Sequence, residues 1–301
     1  MPVAVEIADL RKAYGAVEAV RGISFTVDEG EVFALLGPNG AGKTTTVEIL
    51  EGFRKRDAGR VSVLGFDPAS GDRQLKEQMG VVLQTTGVDP YLTVSETVDM
   101  FRGYYRKPRQ REEVIELVGL TEKRDARVTT LSGGQRRRLD VAVALAGDPK
   151  VLFLDEPTTG FDPGARRNAW EVIKGLANLG KTIFLTSHAM DEVQYLADRV
   201  VIIAGGKVVA EGKPDTLAGR EKAAALVRFQ LPTSPLPDRI RASANVSEGA
   251  VQIETDDPTR TLYDVTSWAV QVGIRLEGLE VTRPSLEDVY LDITKDVELK
   301  A

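Results

Sequence analysis

Gly37-Pro38-Asn39-Gly40-Ala41-Gly42-Lys43-Thr44, with Thr45 next, fits the pattern G-x-x-x-x-G-K-[ST]. The pattern has meaning only between a strand and a helix. EVFALL (31–36) precedes it as an apolar strand, and GKTTTVEILEGF (42–53) follows as a helix with Val47 and Leu50 on one face. The glycines let backbone N–H groups close around a β-phosphate. Lys43 brings a point charge to the β- and γ-phosphates, and Thr44 can give its hydroxyl to Mg²⁺. The positive end of the helix that starts near Gly42 adds to the same field. A glycine-rich turn without chemistry is the alternative, and the flanking strand and helix weigh against it.

A phosphate loop of this kind needs a second carboxylate for Mg²⁺ at the end of a neighbouring strand. VLFLD (151–155) supplies it: four apolar residues bury the strand and Asp155 emerges at its C-terminal end, where α/β sheets place ligands. Glu156 comes next. It reads either as a general base that polarises water or as a solvated loop acid.

Outward from these two points, strands and helices alternate, which predicts an α/β fold with a mostly parallel sheet covered on both faces. VAVEIADL and VRGISFTV read as strands before the loop; KTIFLTS and the hairpin RVVIIAGGKVVAEG, turning at Gly205-Gly206, read as strands after it. Residues 93–146 change character. TVSETVDMFRGYY, REEVIELVGL and the stretch after Gly134 are helical in period, and Thr93 with Glu96 reads as a capping box. Beyond 213, PDTLAGREKAAA reads as a connecting helix. The last 75 or so residues read as a small α+β domain with strands LVRFQL and RLEGLEVT and helices TRTLYDVTSWAVQVG and SLEDVYLDIT.

Composition narrows the chemistry. The 301 residues carry 39 Lys/Arg and 45 Asp/Glu, a net charge of −6, which gives no general affinity for a nucleic-acid backbone. The acidity is concentrated: residues 221–301 hold 9 basic and 14 acidic side chains, while the first 220 hold 30 and 31. With no cysteine, disulfides, thiolate metal sites and cysteine nucleophiles are excluded, and a single histidine excludes an all-histidine site within one chain. The first residues lack the long apolar run of a signal peptide, and no stretch reaches the roughly 18 apolar residues of a membrane span, so the chain is expected to stay in the cytoplasm.

Leu131-Ser132-Gly133-Gly134-Gln135 stands about twenty residues ahead of Asp155, inside the helical stretch. With the loop at 37–44 and the strand ending in Asp155-Glu156, it makes residues 3–218 resemble the ATP-binding cassette (ABC) ATPases. The resemblance implies a P-loop ATPase cassette over 1–220, a helical signature subdomain at about 90–146, and a small α+β C-terminal domain over 221–301. It implies ATP and Mg²⁺ as ligands. Tyr14 resembles the aromatic residue that stacks on adenine, and Gln84, at the end of GVVLQ, the glutamine that touches Mg²⁺ and the attacking water. Thr44 and Asp155 take the metal, Glu156 aligns the water and His188 contacts the γ-phosphate. Asp162 resembles the aspartate at the dimer seam, where Phe161 replaces the more usual leucine. Ser132, Gly133 and Gly134, followed by Gln135, face the γ-phosphate bound by the other subunit. Without the resemblance, Tyr14 and Gln84 read as ordinary strand-end residues and His188 as structural.

The partners implied are a second copy, meeting head to tail, and a separate multi-span permease, which would hold the chain peripherally at the cytoplasmic face of the membrane. The stretch after Gln84 reads as the groove for a permease helix or as plain helical core. Pro284-Ser285-Leu286-Glu287-Asp288-Val289-Tyr290-Leu291 resembles the C-terminal motif of the drug-resistance branch, the daunorubicin-exporter type, whose permeases are of the ABC-2 class. That points to ATP-driven multidrug efflux, with Ser285 capping the last helix and Leu286, Val289 and Tyr290 on its buried face. The tail reads as a dimer-stabilising or regulatory domain, or as passive packing. Arg136-Arg137-Arg138 reads as a solvated helix face rather than a nucleic-acid contact. Two other functions compete: a soluble cassette ATPase, and an ATP-gated scaffold that barely hydrolyses, which intact Glu156 and His188 disfavour.

Overall fold

Alternating apolar residues at the start of the chain make a hairpin of their own. β1 (Val3–Tyr14) and β2 (Val17–Asp28) pair antiparallel, with Tyr14 opposite Val17. β3 (Val32–Leu36) and α1 (Lys43–Leu50) follow, and β4 (Ala58–Val63) then returns to the open edge of β1. The result is a three-stranded antiparallel sheet, β2-β1-β4, beside the main sheet. The predicted mostly parallel sheet did not set this second sheet apart. Its physical mark is the alternation: β1 and β2 bury every second residue or so, as one-sided antiparallel strands do, whereas all five residues of β3 are buried. The computed structural model describes residues 2–82, 87–247 and 249–298.

The main sheet is built from α/β repeats. α2 (Arg73–Gln78) leads into β5 (Met79–Val82). The helical stretch then forms α3 (Val94–Arg102), α4 (Arg111–Leu117) and α5 (Gly133–Leu145). Val94, Val98, Val114, Ile115 and Leu139 are sealed in this stretch, each at most 3% exposed. Alternation resumes with β6 (Val151–Asp155), α6 (Pro163–Asn178), β7 (Thr182–Thr186), α7 (Met190–Leu196), β8 (Arg199–Ala204) and β9 (Lys207–Gly212). The strand order is β5-β6-β7-β3-β8-β9, parallel except for the hairpin strand β9. Consequently the C-terminal ends of β3, β6 and β7 lie side by side at one edge. A run of rings fixes the two sheets together: Phe25 to Phe33 at 5.1 Å, Phe33 to Phe184 at 5.1 Å and Phe184 to Phe153 at 5.5 Å.

The chain forms two compact units, Met1–Pro214 with Asp292–Ala301, and Asp215–Leu291. In the second unit, β10 (Ala225–Gln230) is followed by α8 (Asp238–Arg241), β11 (Ala244–Ser247), β12 (Ala250–Thr255), α9 (Pro258–Gln271) and β13 (Glu280–Thr282). The sheet order is β11-β12-β10-β13, all antiparallel. Val227, Phe229, Val251 and Ile253 pack with Val265, Trp268 and Ala269 of α9 in a core of its own. The last helix, α10 (Leu286–Glu298), has Ser285 at its start: the Ser285 hydroxyl accepts from the Asp288 amide at 3.0 Å, and Leu286 is buried while Val289 and Tyr290 are half-buried.

Two expectations fail here. The predicted connecting helix is only a short 3₁₀ stretch, Leu217–Lys222, broken by left-handed φ at Ala218 (53°) and Gly219 (77°). The predicted strand RLEGLEVT keeps just three strand residues because Gly278 turns the chain at φ 62°.

Candidate functional site

The loop after β3 is shaped by where side chains cannot go. A Cβ on Gly37 would lie 2.3 Å from the Ile203 carbonyl oxygen. A Cβ on Gly42 would lie 2.4 Å from the Ala19 carbonyl oxygen, and Gly42 has φ +102°, so only glycine fits. Pro38, Asn39, Gly40 and Ala41 complete the loop between them. Gly42 offers no side-chain cap to α1, which leaves the helix's first N–H groups uncommitted to side chains. Lys43 is 8% exposed and folds back over the loop, donating to the Gly37 carbonyl at 2.6 Å and the Pro38 carbonyl at 3.1 Å. Burial lowers its pKa, and the charges of Glu156 and Asp155 oppose that shift. Thr44 is exposed at the helix start. Thr45 lies 3.4 Å from the Tyr14 hydroxyl, and the exposed Tyr14 ring has Arg54 at 5.2 Å and Lys12 at 5.7 Å.

Asp155 ends β6, in register with Thr186 of β7, and Thr186 is in turn level with Leu35 of β3. The Thr186 hydroxyl donates to Asp155 Oδ1. It also accepts from the Glu156 amide at 3.1 Å. Glu156 itself sits at φ 47°, a left-handed conformation that costs a non-glycine residue on the order of 1 kcal/mol. The effect is to turn its carboxylate off the strand line. Its Oε2 accepts from the Thr159 hydroxyl at 3.1 Å, and its Oε1 lies 3.4 Å from His188 Nδ1. The Glu156 side chain is 18% exposed and that of His188 61%, so the pair stands at the mouth of the site. Gln84 lies outside the described residues.

The second constellation sits apart. Ser132 caps α5 in a reciprocal box: the Gln135 side chain accepts from the Ser132 amide at 2.9 Å, and the Ser132 hydroxyl from the Gln135 amide at 3.3 Å. Asp162 caps α6 through the Gly164 and Ala165 amides at 2.9 and 3.0 Å. Ser132, Gly134 and Gln135 share an open groove of about 340 Å³ with Asp162, Gly164 and Ala165. Gly133 has open space at the Cβ position. No residue of the loop at 37–44 lines this groove.

Four supporting residues escaped the sequence reading. Arg137 is only 8% exposed, against the solvated face expected for 136–138, and donates to the Asp155 carbonyl at 2.9 Å and the Pro157 carbonyl at 3.3 Å. Arg138 likewise turns in, to the Gly119 carbonyl at 2.8 Å; Arg136 alone of the three is exposed. The other three are Thr186, fully buried, Glu192 at 1% exposure and Glu51 at 6%. Burial first, then Asp155 and Glu48, push the Glu51 carboxyl up to about 8.

A family model for the ABC transporter matches residues 20–159, and one for the C-terminal domain of ABC transporter domain-containing proteins matches 225–285. The chain is 40% identical over 302 aligned positions to the Nod factor export ATP-binding protein I of Rhizobium meliloti (strain 1021), covering 97% of this chain and 88% of that protein. It is 36% identical over 308 positions to the daunorubicin resistance ATP-binding protein DrrA2 of Streptomyces coeruleorubidus, covering 97% and 95%. Among solved structures it resembles a dimeric post-hydrolysis state of an ATP-binding cassette bound to ADP and Pi, at 25% identity and a TM-score of 0.62, covering 69% of this chain and 98% of that one. On this evidence the chain belongs to the ABC transporter ATP-binding proteins and is an ATPase cassette of that family.

Proposed function

We propose that this chain is the ATP-hydrolysing subunit of an ABC-2 type exporter, which closes on a second copy around ATP and drives a separate membrane permease. The observation that carries the hydrolytic part is the Glu156–His188 pair, 3.4 Å apart, beside Asp155 and at the same sheet edge as the phosphate loop. Lys43 and the loop amides hold the β- and γ-phosphates, and Tyr14 offers a face to adenine. Glu156 orients the attacking water and takes its proton as the water oxygen bonds to the γ-phosphorus. The bond to the β–γ bridging oxygen then breaks, and ADP and inorganic phosphate leave. His188 donates to the γ-phosphate and keeps the Glu156 carboxylate aimed.

The donor set suits Mg²⁺, which takes hard oxygens and is bound by one or two protein groups plus substrate phosphates. Thr44 offers an exposed hydroxyl and Asp155 a carboxylate at its strand end; Gln84 joins them by resemblance. Held there, Mg²⁺ would supply positive charge that offsets the charge developing during phosphoryl transfer.

The groove of Ser132, Gly134, Gln135 and Asp162 lies apart from the chain's own loop, which supports a site completed by a second copy. Among the described residues no helix is long and apolar enough to cross a membrane. A permease partner and a peripheral position at the cytoplasmic face account for an exporter subunit of this kind, as do the relatives named for Nod factor export and daunorubicin resistance. Drugs or other amphipathic compounds are the cargo this reading favours.

The test uses Glu156→Gln. It should hydrolyse ATP at least about 100-fold more slowly and elute as a dimer with ATP but not ADP. Isolation from native membranes in mild detergent should bring down a stoichiometric multi-span protein. Normal turnover in the variant overturns the hydrolytic assignment, and only soluble partners overturn the exporter.

A further inference from the structure

The Glu156–His188 contact is held by neither residue's own side chain alone. Glu156 leaves β6 at a left-handed φ of 47°, and His188 follows the end of β7. Thr186 is the last residue of β7 and Ser187 the first after it, and their hydroxyls have different partners. Thr186 goes to Asp155 and Glu156. The Ser187 hydroxyl donates to Glu192 Oε2 at 2.6 Å. The same hydroxyl accepts from the Ala189 amide at 3.0 Å, which closes the backbone turn with His188 at its centre.

Glu192 lies in the first turn of α7, 1% exposed, and its other oxygen is equally engaged. Oε1 accepts from the Thr158 hydroxyl at 2.7 Å and from the Trp170 indole N–H at 3.1 Å. Thr158 belongs to the turn that begins at Glu156, whose carboxylate is held from Thr159. Trp170 belongs to α6, the helix capped by Asp162, and Ala165 of that helix lies against Gly134 of the signature. Arg137, which holds the Asp155 and Pro157 carbonyls, contributes positive charge in the neighbourhood of Glu192. One buried carboxylate is therefore bonded to the turn of the general base, the turn of the histidine and the helix that starts at the dimer-seam aspartate.

We infer that Glu192 is a positioning residue for ATP hydrolysis: it sets the spacing of Glu156 and His188 and ties it to the pose of α6. This rests on the hydrolytic roles proposed for Glu156 and His188. None of the three donors to Glu192 belongs to the phosphate loop, so the nucleotide cradle stands without it. Glutamine in its place keeps size and shape but removes the charge on which three donors converge, and its amide N–H₂ forces one hydroxyl to reverse from donor to acceptor. A misplacement of about 1 Å between reacting groups costs on the order of 100-fold in rate.

Glu192→Gln should lower kcat by about 10- to 100-fold while KM for ATP and the binding of a fluorescent ATP analogue stay within about twofold. Thr158→Val and Ser187→Ala remove one donor each, and each should lower kcat by a smaller factor with KM unchanged, which keeps the test available if Glu192→Gln folds poorly. The decisive reading is non-additivity. In Glu156→Gln, the Glu192→Gln change should cost little more, because both act on one step. Wild-type kcat in Glu192→Gln, a KM that rises in step with falling kcat, or losses that multiply in the double variant would each overturn the inference. Normal hydrolysis in Glu156→Gln alone would instead overturn the reading beneath it.

Discussion

Glu51 shows how burial among like charges shapes a single carboxyl group. It caps the end of α1, is 6% exposed, has an oxygen with no hydrogen-bond partner among the described residues, and shares its surroundings with the charges of Asp155 and Glu48. A second or third carboxylate charge so placed is disfavoured, and the group keeps its proton up to about 8. The linkage sign follows. In the unfolded chain the group ionises near its ordinary 4.5, so the native state binds more protons between 4.5 and about 8. This contribution to stability is complete below pH 4.5 and is lost as pH rises towards 8, on the order of a few kcal/mol over the window. Glu51→Gln carries no such proton. It should match the native chain in urea unfolding at pH 5 and exceed it at pH 8, measured with chelator and without nucleotide. A stability difference of the same size at both pH values would contradict the burial argument.

Helix starts carry much of what could be read before the structure was known. The capping box at Thr93 is present as its spacing predicts: Thr93 Oγ1 accepts from the Glu96 amide at 3.2 Å, and the Glu96 carboxylate from the Thr93 amide at 2.8 Å. Thr93→Ala should therefore destabilise the chain by about 1 kcal/mol, seen as a lower urea midpoint with an unchanged slope. No midpoint shift would mean that α3 is held by packing alone. The conformation of the loop at 37–44 was legible for a similarly local reason, since Gly37 and Gly42 meet carbonyl oxygens where a Cβ would go, and such a constraint writes itself into the residue type. Arg137 was not legible. Three consecutive arginines read as a solvated run, and only the face that α5 turns toward β6 decides that the middle one is buried. Glu192 hides in the same way: an acid in the first turn of a helix reads as a response to the helix dipole, and its three donors come from segments 5, 22 and 34 residues away. The antiparallel sheet β2-β1-β4 was missed because alternation identifies strands but not the partner they choose.

Two copies are needed for one site if the groove at Ser132 completes the phosphate loop of its partner, and Gly133 gives the cleanest way to ask. A Cβ there meets nothing within 4 Å in this chain, so Gly133→Leu should fold, melt and bind ATP as the native chain does. Any loss must then come from what the residue meets across an interface. With head-to-tail closure about a two-fold axis, the added side chain occupies the place of the partner's γ-phosphate, and ATP-dependent dimers and hydrolysis should both disappear. Lys43→Ala fails for the opposite reason, because its own phosphate loop no longer retains nucleotide. Each variant alone is inactive, but a mixed dimer carries both defects in one composite site and neither in the other. Half of randomly mixed chains form such dimers, each with one intact site, so mixing equal amounts should restore up to about a quarter of native ATPase activity where a single site can turn over. Recovery on mixing has no explanation in a site built within one chain. If Gly133→Leu instead hydrolyses ATP at the native rate, the signature does not face a partner's nucleotide, and the separation of the groove from the phosphate loop needs another cause.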